Sequence, residues 1–236
     1  MARLLKIILG NLFRIPRFFV KACRYAKHPE KYAETEIYNS IQQITRHVIA
    51  KGNVTLQIFG KENIPETPGL ILYGNHQGMF DLIAVANDFP GPLAFVFKKE
   101  LMKVPLLKQY AIATRSFAMD RADVRQSLTV IRSVTEEVKN GRNYLIFPEG
   151  TRSKTGNQMN DFHPGSFKAA VKAKCPILPV AFIDCYKVLD QKGTQPVSVQ
   201  MHYLPPIPYE EYAGMTTVAL AAMVKERIGQ VIDQYA

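Results

Sequence analysis

A histidine and an aspartate are spaced in this chain as a base and its orienting acid would be. His76 follows the short apolar run 69–73, and Asp81 comes five residues later. Positions five apart do not face each other on a regular helix. The chain therefore has to turn between them, and Gly78 permits such a turn. A carboxylate that binds one imidazole nitrogen leaves the other as a base, so the pattern predicts a pair that removes a proton from a hydroxyl group.

No motif for a covalent nucleophile accompanies this pair. Gly165-Ser166 lacks the G-x-S-x-G turn, and neither Cys175 nor Cys185 has a motif around it. We therefore expect direct attack by a substrate hydroxyl, with His76 as a general base that contributes about 10²- to 10⁴-fold in rate. Taken alone, a histidine with an aspartate at this spacing is more often an ordinary core or surface residue.

The segment 147–153, with the sequence FPEGTRS, is typical of a turn that binds an anion. Arg152 offers a planar fork suited to phosphate. Glu149 is expected to orient Arg152 or a substrate hydroxyl, and Gly150 lets backbone N–H groups approach an anion closely. The alternative for such a segment in isolation is a surface turn with a solvated ion pair.

The hydrophobic pattern alternates strands with helices around these two segments. A hydrophobic content of 47% in 236 residues predicts one packed domain rather than disorder. Strands are predicted at 54–59, 69–73, 93–97, 116–119, 144–147, 177–183 and 197–204, and helices at 31–50, 79–87, 123–139 and 216–235, with an amphipathic segment at 98–111 broken at Pro105. The order predicts an α/β single domain with a mixed, mostly parallel β-sheet flanked by helices. Its site is expected where the strands end.

Three widely spaced cysteines, Cys23, Cys175 and Cys185, form no CxxC pair. This usage argues against a disulfide scaffold or a zinc site and fits a reducing cytosolic setting.

The positive charge of the chain is concentrated at its amino-terminal end. Residues 1–31 hold eight Lys and Arg against one acid, Glu30, within a chain of net charge +10. On a helix the cations of residues 3–24 fall within an arc of roughly 80° and apolar residues cover the other side. We expect residues 1–30 to lie as an amphipathic helix on an anionic membrane, kinked or restarted at Pro16. The membrane-binding residues expected are Arg3, Lys6, Ile8, Leu12, Arg14, Ile15, Arg17, Phe19, Lys21 and Arg24.

Other interpretations of the basic end are less favoured. A charge every few positions argues against a membrane-spanning helix, and Lys6 with Arg14 argues against a signal peptide. The apolar side can instead dock on the domain, with the cations in solvent. A basic helix that binds nucleic acid lacks a dimerisation heptad or helix-turn-helix signal, so no nucleic acid partner is expected.

Four ordered blocks make the chain similar to the 1-acylglycerol-3-phosphate acyltransferase family. The first block is Asn-His-x4-Asp at 75–81 and the third is FPEGTRS at 147–153. The second spans 98–121, from KKEL to FAMDR, and the fourth is CPILPVAF at 175–182. The resemblance covers residues 54–185. It implies a glycerol-phosphate acyltransferase-like fold and transfer of a fatty acyl group from an acyl-CoA or acyl-carrier-protein thioester to a lysophospholipid hydroxyl.

The resemblance also assigns roles to individual residues. His76 and Asp81 match the catalytic pair of the family. Arg121 and Arg152 match the positions that hold the acceptor phosphate. Glu149, Gly150 and Thr151 lie beside them, and Lys98 is a further phosphate contact. No metal and no cofactor are implied beyond the thioester co-substrate.

The chain departs from the family pattern on the acceptor side. Gly78 stands where the family usually has serine, and Lys108 and the Thr114-Arg115 stretch replace glycines of the second block. These positions bear on the head group of the acceptor and on the acyl-chain preference.

The sequence thus predicts residues 31–236 as an acyltransferase domain. The expected reaction converts lysophosphatidate to phosphatidate at the cytoplasmic face of a membrane, the bacterial inner membrane, with a peripheral or monotopic attachment. Glycerol 3-phosphate or another lysophospholipid is the alternative acceptor. A non-catalytic membrane lipid-binding protein on the same fold is the alternative function.

Overall fold

Seven strands form one mixed sheet in the computed structural model, which describes residues 2–236. The strands are β1 (Val54–Phe59), β2 (Ile71–Gly74), β3 (Leu93–Lys98), β4 (Phe117–Met119), β5 (Asn143–Ile146), β6 (Ile177–Ile183) and β7 (Val197–Tyr203). Their order is β1-β7-β6-β2-β5-β3-β4, and every neighbouring pair is parallel except β6 with the antiparallel β7. The predicted α/β class with a mixed, mostly parallel sheet is confirmed.

The helices are α1 (Ala2–Gly10), α2 (Ile15–Lys27), α3 (Glu34–Gly52), α4 (Phe80–Asp88), α5 (Leu107–Ala113), α6 (Val124–Lys139), α7 (Lys168–Ala173), α8 (Tyr186–Leu189), α9 (Tyr209–Tyr212) and α10 (Thr217–Tyr235). Asp123 and Thr216 cap the amino-terminal ends of α6 and α10, accepting from Gln126 N and Ala219 N. Such caps typically contribute about 1 kcal/mol each. Both helices therefore begin where their capping residues predict.

Helices cover both faces of the sheet, so its central strands are buried on both sides. All residues of β2, β5 and β6 are buried. Ile71 and Tyr73 of β2 pack with α6, α7 and α10, whereas Leu72 packs with α3 and α4 on the other face. This alternation within continuous apolar runs is typical of parallel strands covered on both faces. The carboxyl ends of β2 to β6 share one edge, where the loops after them meet.

The amino-terminal segment forms two helices rather than one. α1 ends at Gly10, and α2 restarts at Ile15 with Pro16 in its first turn, where a proline fits. α1 packs on α3, and α2 packs on α5. Ile7, Ala22 and Tyr25 are buried in these contacts. Within residues 2–236, none of the helices has the length and apolar character that crossing a membrane requires.

The prediction that Arg3 faces a membrane is wrong, because its side chain is buried. Its side chain is only 3% exposed. Its guanidinium donates to the carbonyls of Lys187, Val188 and Gln195. These carbonyls lie in and after α8, so Arg3 ties α1 to the domain. The other predicted membrane-binding residues are exposed or partly exposed.

Candidate active site

His76 and Asp81 are in contact at the carboxyl end of β2. The strand ends at Gly74 and delivers the chain into His76, and α4 begins at Phe80 with Asp81 in its first turn. The turn between them brings the imidazole Nδ1 to 2.8 Å from the Asp81 Oδ2. The structure therefore has the contact that the spacing predicts.

Asp81 is a fully buried carboxylate whose charge is satisfied by the turn around it. Its Oδ2 also accepts from the backbone N–H of Gln77 at 2.7 Å and of Gly78 at 2.9 Å. Its Oδ1 is buried without a partner among the residues described. Three donors on one oxygen hold the carboxylate rigidly, and the first turn of a helix favours negative charge. Asp81 is thus placed to fix the imidazole.

The His76 ring is clamped between Asp81 and an aromatic face. It stacks on Phe147, with ring centroids 4.1 Å apart and planes 17° from parallel, and its side chain is 14% exposed. With Nδ1 directed to Asp81, the Nε2 atom makes no hydrogen bond within residues 2–236. A carboxylate partner at Nδ1 favours the tautomer with the proton on that atom. The ring therefore presents Nε2 as a free proton acceptor.

Two amides that the sequence did not single out hold the His76 turn against β6. The side chain of Asn75 donates to the Phe182 carbonyl at 2.9 Å and accepts from the Phe182 N–H at 2.7 Å. Gln77 accepts from the Cys185 N–H at 2.8 Å through its side chain. Both amides are buried. Their partners lie more than a hundred residues away, so the only signal in the sequence is their position beside the histidine.

Glu149 binds backbone N–H groups, so the prediction that it orients Arg152 is wrong, and its predicted contact with a substrate hydroxyl stays a prediction. Its Oε1 accepts from the His76 N–H at 2.7 Å and its Oε2 from the Asn160 N–H at 2.8 Å. The side chain is buried. Burial raises the pKa of Glu149, and the two backbone hydrogen bonds oppose that shift. Glu149 therefore joins the loop after β5 to the loop after β2.

Arg152 points toward α8. Its Nη1 lies 2.7 Å from Asp190 Oδ1, and the two side chains are 48% and 38% exposed. The Asp190 Oδ2 lies 2.5 Å from the place that a Cβ on residue 78 would occupy. Gly78 thus leaves the space that this carboxylate fills. An exposed pair contributes about 0–1 kcal/mol, so the guanidinium is easily released to another anion.

Arg121 lies on the other side of the 149–152 turn. It follows β4, and its Nε is 3.9 Å from the position of a Cβ on Gly150. Partial burial lowers its pKa. His163, which the sequence did not indicate, is at the same place: its Nε2 is 3.2 Å from that position. Arg121 and Arg152 therefore flank the turn with different neighbours, and the structure does not bring their guanidinium groups onto one partner.

Lys98 and Thr151 are less closely tied to the histidine. Lys98 ends β3 and lies 3.5 Å from Glu100 in an exposed ion pair. Thr151 is exposed, and its hydroxyl makes no hydrogen bond within the described part of the chain. Both lie at the carboxyl edge of the sheet, and neither contacts His76 or Asp81.

The cysteines are poor candidates for a nucleophile. Cys175 and Cys185 are buried and unpaired. Burial raises the pKa of Cys175 to about 12, and burial with nearby carboxylates raises the pKa of Cys185 well above the usual range. Both thiols are therefore neutral at physiological pH, and a neutral buried thiol is inert.

Comparison with known proteins assigns the chain to a family. A model of the Acyltransferase family matches residues 55–183. A 1-acyl-sn-glycerol-3-phosphate acyltransferase of Salmonella typhimurium is 31% identical over 165 residues, which cover 70% of this chain and 67% of the relative. A protein of the same name from Pseudomonas aeruginosa is 36% identical over 129 residues, covering 54% of this chain and 49% of the relative.

A solved structure has the same fold. The 1-acyl-sn-glycerophosphate acyltransferase PlsC from Thermotoga maritima superposes with a TM-score of 0.80 at 21% identity, covering 99% of this chain and 97% of that one. At this identity the likeness shows the fold alone. The family model and the Salmonella relative show more: the chain belongs to the Acyltransferase family. The resemblance inferred from the four sequence blocks is confirmed.

Proposed function

We propose that this enzyme transfers a fatty acyl group from a thioester to the free hydroxyl of 1-acyl-sn-glycerol-3-phosphate, forming phosphatidate. The observation that carries the proposal is the His76–Asp81 contact at 2.8 Å with Nε2 left free. The names of the Salmonella and Pseudomonas relatives support the choice of acceptor. The donor is an acyl-CoA or an acyl-carrier-protein thioester, and no further cofactor is needed.

In the proposed step, one proton moves from the acceptor hydroxyl to His76 and then to the departing thiolate. The acceptor hydroxyl gives its proton to Nε2 of His76 while its oxygen attacks the thioester carbonyl carbon. The tetrahedral intermediate then breaks its C–S bond, the ester remains, and the imidazolium returns the proton to the departing thiolate. Asp81 stays ionised and stabilises the imidazolium between these events. No covalent acyl-enzyme is required.

The acceptor phosphate is proposed to lie against the cationic side of the 149–152 turn. Arg121 is available there without a competing partner in residues 2–236. Arg152 binds the phosphate after releasing Asp190. This release costs little free energy, because the Arg152–Asp190 ion pair is exposed to solvent. Glu149 takes part by joining the turn to His76, because it binds the His76 backbone.

The amino-terminal helices are proposed to hold the enzyme on an anionic bilayer. Several large apolar side chains of α1, α2 and the segment between them are exposed, Phe13 at 95%; the others are Leu4, Leu5, Ile8, Leu9, Leu12, Phe19 and Val20. Arg14, Arg17 and Arg24 are exposed beside them. Such a surface favours the headgroup layer, where each cation adds about 1 kcal/mol. The attachment is peripheral, and we place it on the cytoplasmic face of a bacterial inner membrane.

The test is transfer by purified protein with lysolipid acceptors and both thioester donors, with products identified by mass. Wild type is expected to form phosphatidate. His76→Ala is expected to lose about 10²- to 10⁴-fold in rate while still binding vesicles. His28→Ala, an exposed histidine after α2, is the matched control and should keep wild-type activity. Absence of transfer by wild type with every donor and acceptor would instead favour a lipid-binding protein. A larger rate with glycerol 3-phosphate would reassign the acceptor.

A further inference from the structure

Two nitrogen-bearing side chains converge over Gly150. The imidazole of His163 comes within 3.0 Å at Cδ2 and 3.2 Å at Nε2 of the place a Cβ on Gly150 would occupy, and Arg121 Nε within 3.9 Å. Both side chains are exposed. Within residues 2–236 neither one makes a hydrogen bond or an ion pair. Unlike Arg152, which Asp190 holds, these two donors are therefore free to bind a ligand.

The backbone fixes His163 at this place. Its N–H donates to the Pro148 carbonyl at 2.8 Å, and its own carbonyl accepts from the N–H of Ser166 at 3.1 Å and from its hydroxyl at 2.7 Å. The acidic neighbour Asp161 is paired with Lys225 at 2.7 Å. The imidazole is thus presented by a segment bonded on both sides, and the neighbouring carboxylate already has a cation.

Gly150 leaves the space between these donors open. Its φ of +70° is a backbone conformation that residues with a side chain rarely adopt, and a Cβ there would lie in tight contact with the imidazole. The imidazole of His163 and the guanidinium of Arg121 thus both lie near the position that a Cβ on Gly150 would occupy. Both groups donate hydrogen bonds, and donors of this kind suit the oxygens of a phosphate monoester.

We propose that His163 binds the phosphate of the acceptor together with Arg121, over Gly150. This inference rests on the proposed function and names a binding residue for it. The placement suits the reaction, because the preceding residue, Glu149, accepts from the His76 backbone N–H at 2.7 Å. A phosphate held over Gly150 is therefore anchored one residue from the contact that joins the turn to the base. His163 acts on binding of the acceptor and takes no part in the proton transfer.

Steady-state kinetics with lysophosphatidate test this role. His163→Ala should raise the acceptor KM about tenfold, as expected for loss of one hydrogen bond to a charged group, and leave kcat within about twofold. His163→Lys, which keeps a donor, should restore most of the affinity. Lys168→Ala, an exposed cation on α7, is the control and should match wild type. An unchanged KM in His163→Ala, or a fall in kcat alone, would overturn the inference while leaving the wild-type activity in place.

A second measurement needs no catalysis. The ring resonances of His163 in the full-length protein are followed by NMR during titration with inorganic phosphate. They should shift in wild type and shift much less in Arg121→Ala, because both residues hold the same anion. If the His163 resonances do not respond to phosphate, or respond equally without Arg121, the shared site does not exist. This outcome stands whether or not any acceptor is acylated.

Discussion

The two halves of the site differ in how they are held. On the inner half, Asp81 and Glu149 are buried, and each carboxylate accepts hydrogen bonds from backbone N–H groups of the turns beside it. On the outer half, Arg121 and Arg152 are exposed, and the ion pair between Arg152 and Asp190 is open to solvent. The inner half is fixed by the fold, whereas the outer half can exchange partners.

This difference matches two different tasks. A general base has to meet a proton in one geometry, so its orienting groups are best locked before the substrate arrives. A phosphate has to enter and leave, so its cations are best left exposed and weakly paired. The inner half should therefore govern kcat, and the outer half should govern the acceptor KM.

The largest effect is expected from Asp81→Asn. The neutral amide cannot stabilise the imidazolium. It also presents either its NH₂ group or a weaker acceptor oxygen to the three groups that donate hydrogen bonds to Asp81. By analogy with other carboxylate–histidine pairs, kcat should fall about 10³- to 10⁴-fold with little change in the acceptor KM. Circular dichroism and thermal unfolding have to show that the variant is folded. A raised acceptor KM at near-normal kcat would show that Asp81 acts in acceptor binding, and it would contradict the proposed difference between the two halves.

The outer half is probed by Arg121→Ala beside Arg152→Ala. Among residues 2–236 Arg121 has no ion-pair partner, whereas Arg152 is paired with Asp190. Arg121→Ala should therefore raise the acceptor KM about 10- to 100-fold, and Arg152→Ala should raise it by less. Initial rates over a range of lysophosphatidate concentrations measure both. If either variant loses kcat at saturating acceptor to the extent that Asp81→Asn does, the division between the halves is wrong.

A smaller effect is expected outside the site, from Phe13→Ser. The ring is almost fully exposed, and inserting such a side chain into a bilayer is worth about 1.5–3 kcal/mol. Vesicle affinity should fall about tenfold or more, while kcat with detergent-dispersed lysophosphatidate stays unchanged. Co-sedimentation with anionic vesicles measures the first quantity. Val124→Ser, exposed on α6, is the control. Equal affinity for vesicles in Phe13→Ser would argue against membrane contact by this segment.

The smallest effect concerns the stability that Glu149 contributes. Its folded pKa is raised by burial, so the folded state takes up a proton before the unfolded state as pH falls. The stability that Glu149 contributes is therefore fully present below the pKa of a glutamate in the unfolded chain. It is lost as pH rises through the higher pKa of Glu149 in the folded state. The free energy of unfolding of wild type, taken relative to that of Glu149→Gln, should be larger in acid than at neutral pH. Denaturant titrations at both pH values check this, with exposed Glu62→Gln showing no such trend.

Local features of the site were predictable, and distant ones were not. The His76–Asp81 contact spans five residues and follows from a strand, a glycine and a helix start. The predicted strands 54–59 and 177–183 have the bounds that the structure shows, because a local hydrophobic pattern marks each of them and Pro179 does not interrupt the second. The backbone partners of Glu149 could not be predicted, because one is an N–H 73 residues away and the other lies across a loop. The periodicity of charges along a helix predicts which face of the helix a residue occupies. It does not predict which other parts of the protein pack against that face.

The environments of Arg3 and His163 both depend on tertiary contacts that the sequence alone does not predict. Arg3 fits the charged stripe by periodicity, yet tertiary contact with carbonyls near α8 buries it. His163 has no motif around it, and its backbone bond to Pro148 helps to bring it beside Gly150. The missing information in each case is the fold, which sets which loops meet at the sheet edge.

A double-mutant cycle tests most directly whether Asp81 acts through His76. Rates of acyl transfer are measured for wild type, His76→Ala, Asp81→Asn and the double variant at saturating acceptor and donor. Groups that work as one unit are strongly non-additive, so the double variant should transfer at the rate of His76→Ala within about threefold. A double variant slower by the product of the two single losses would show that the two side chains act independently.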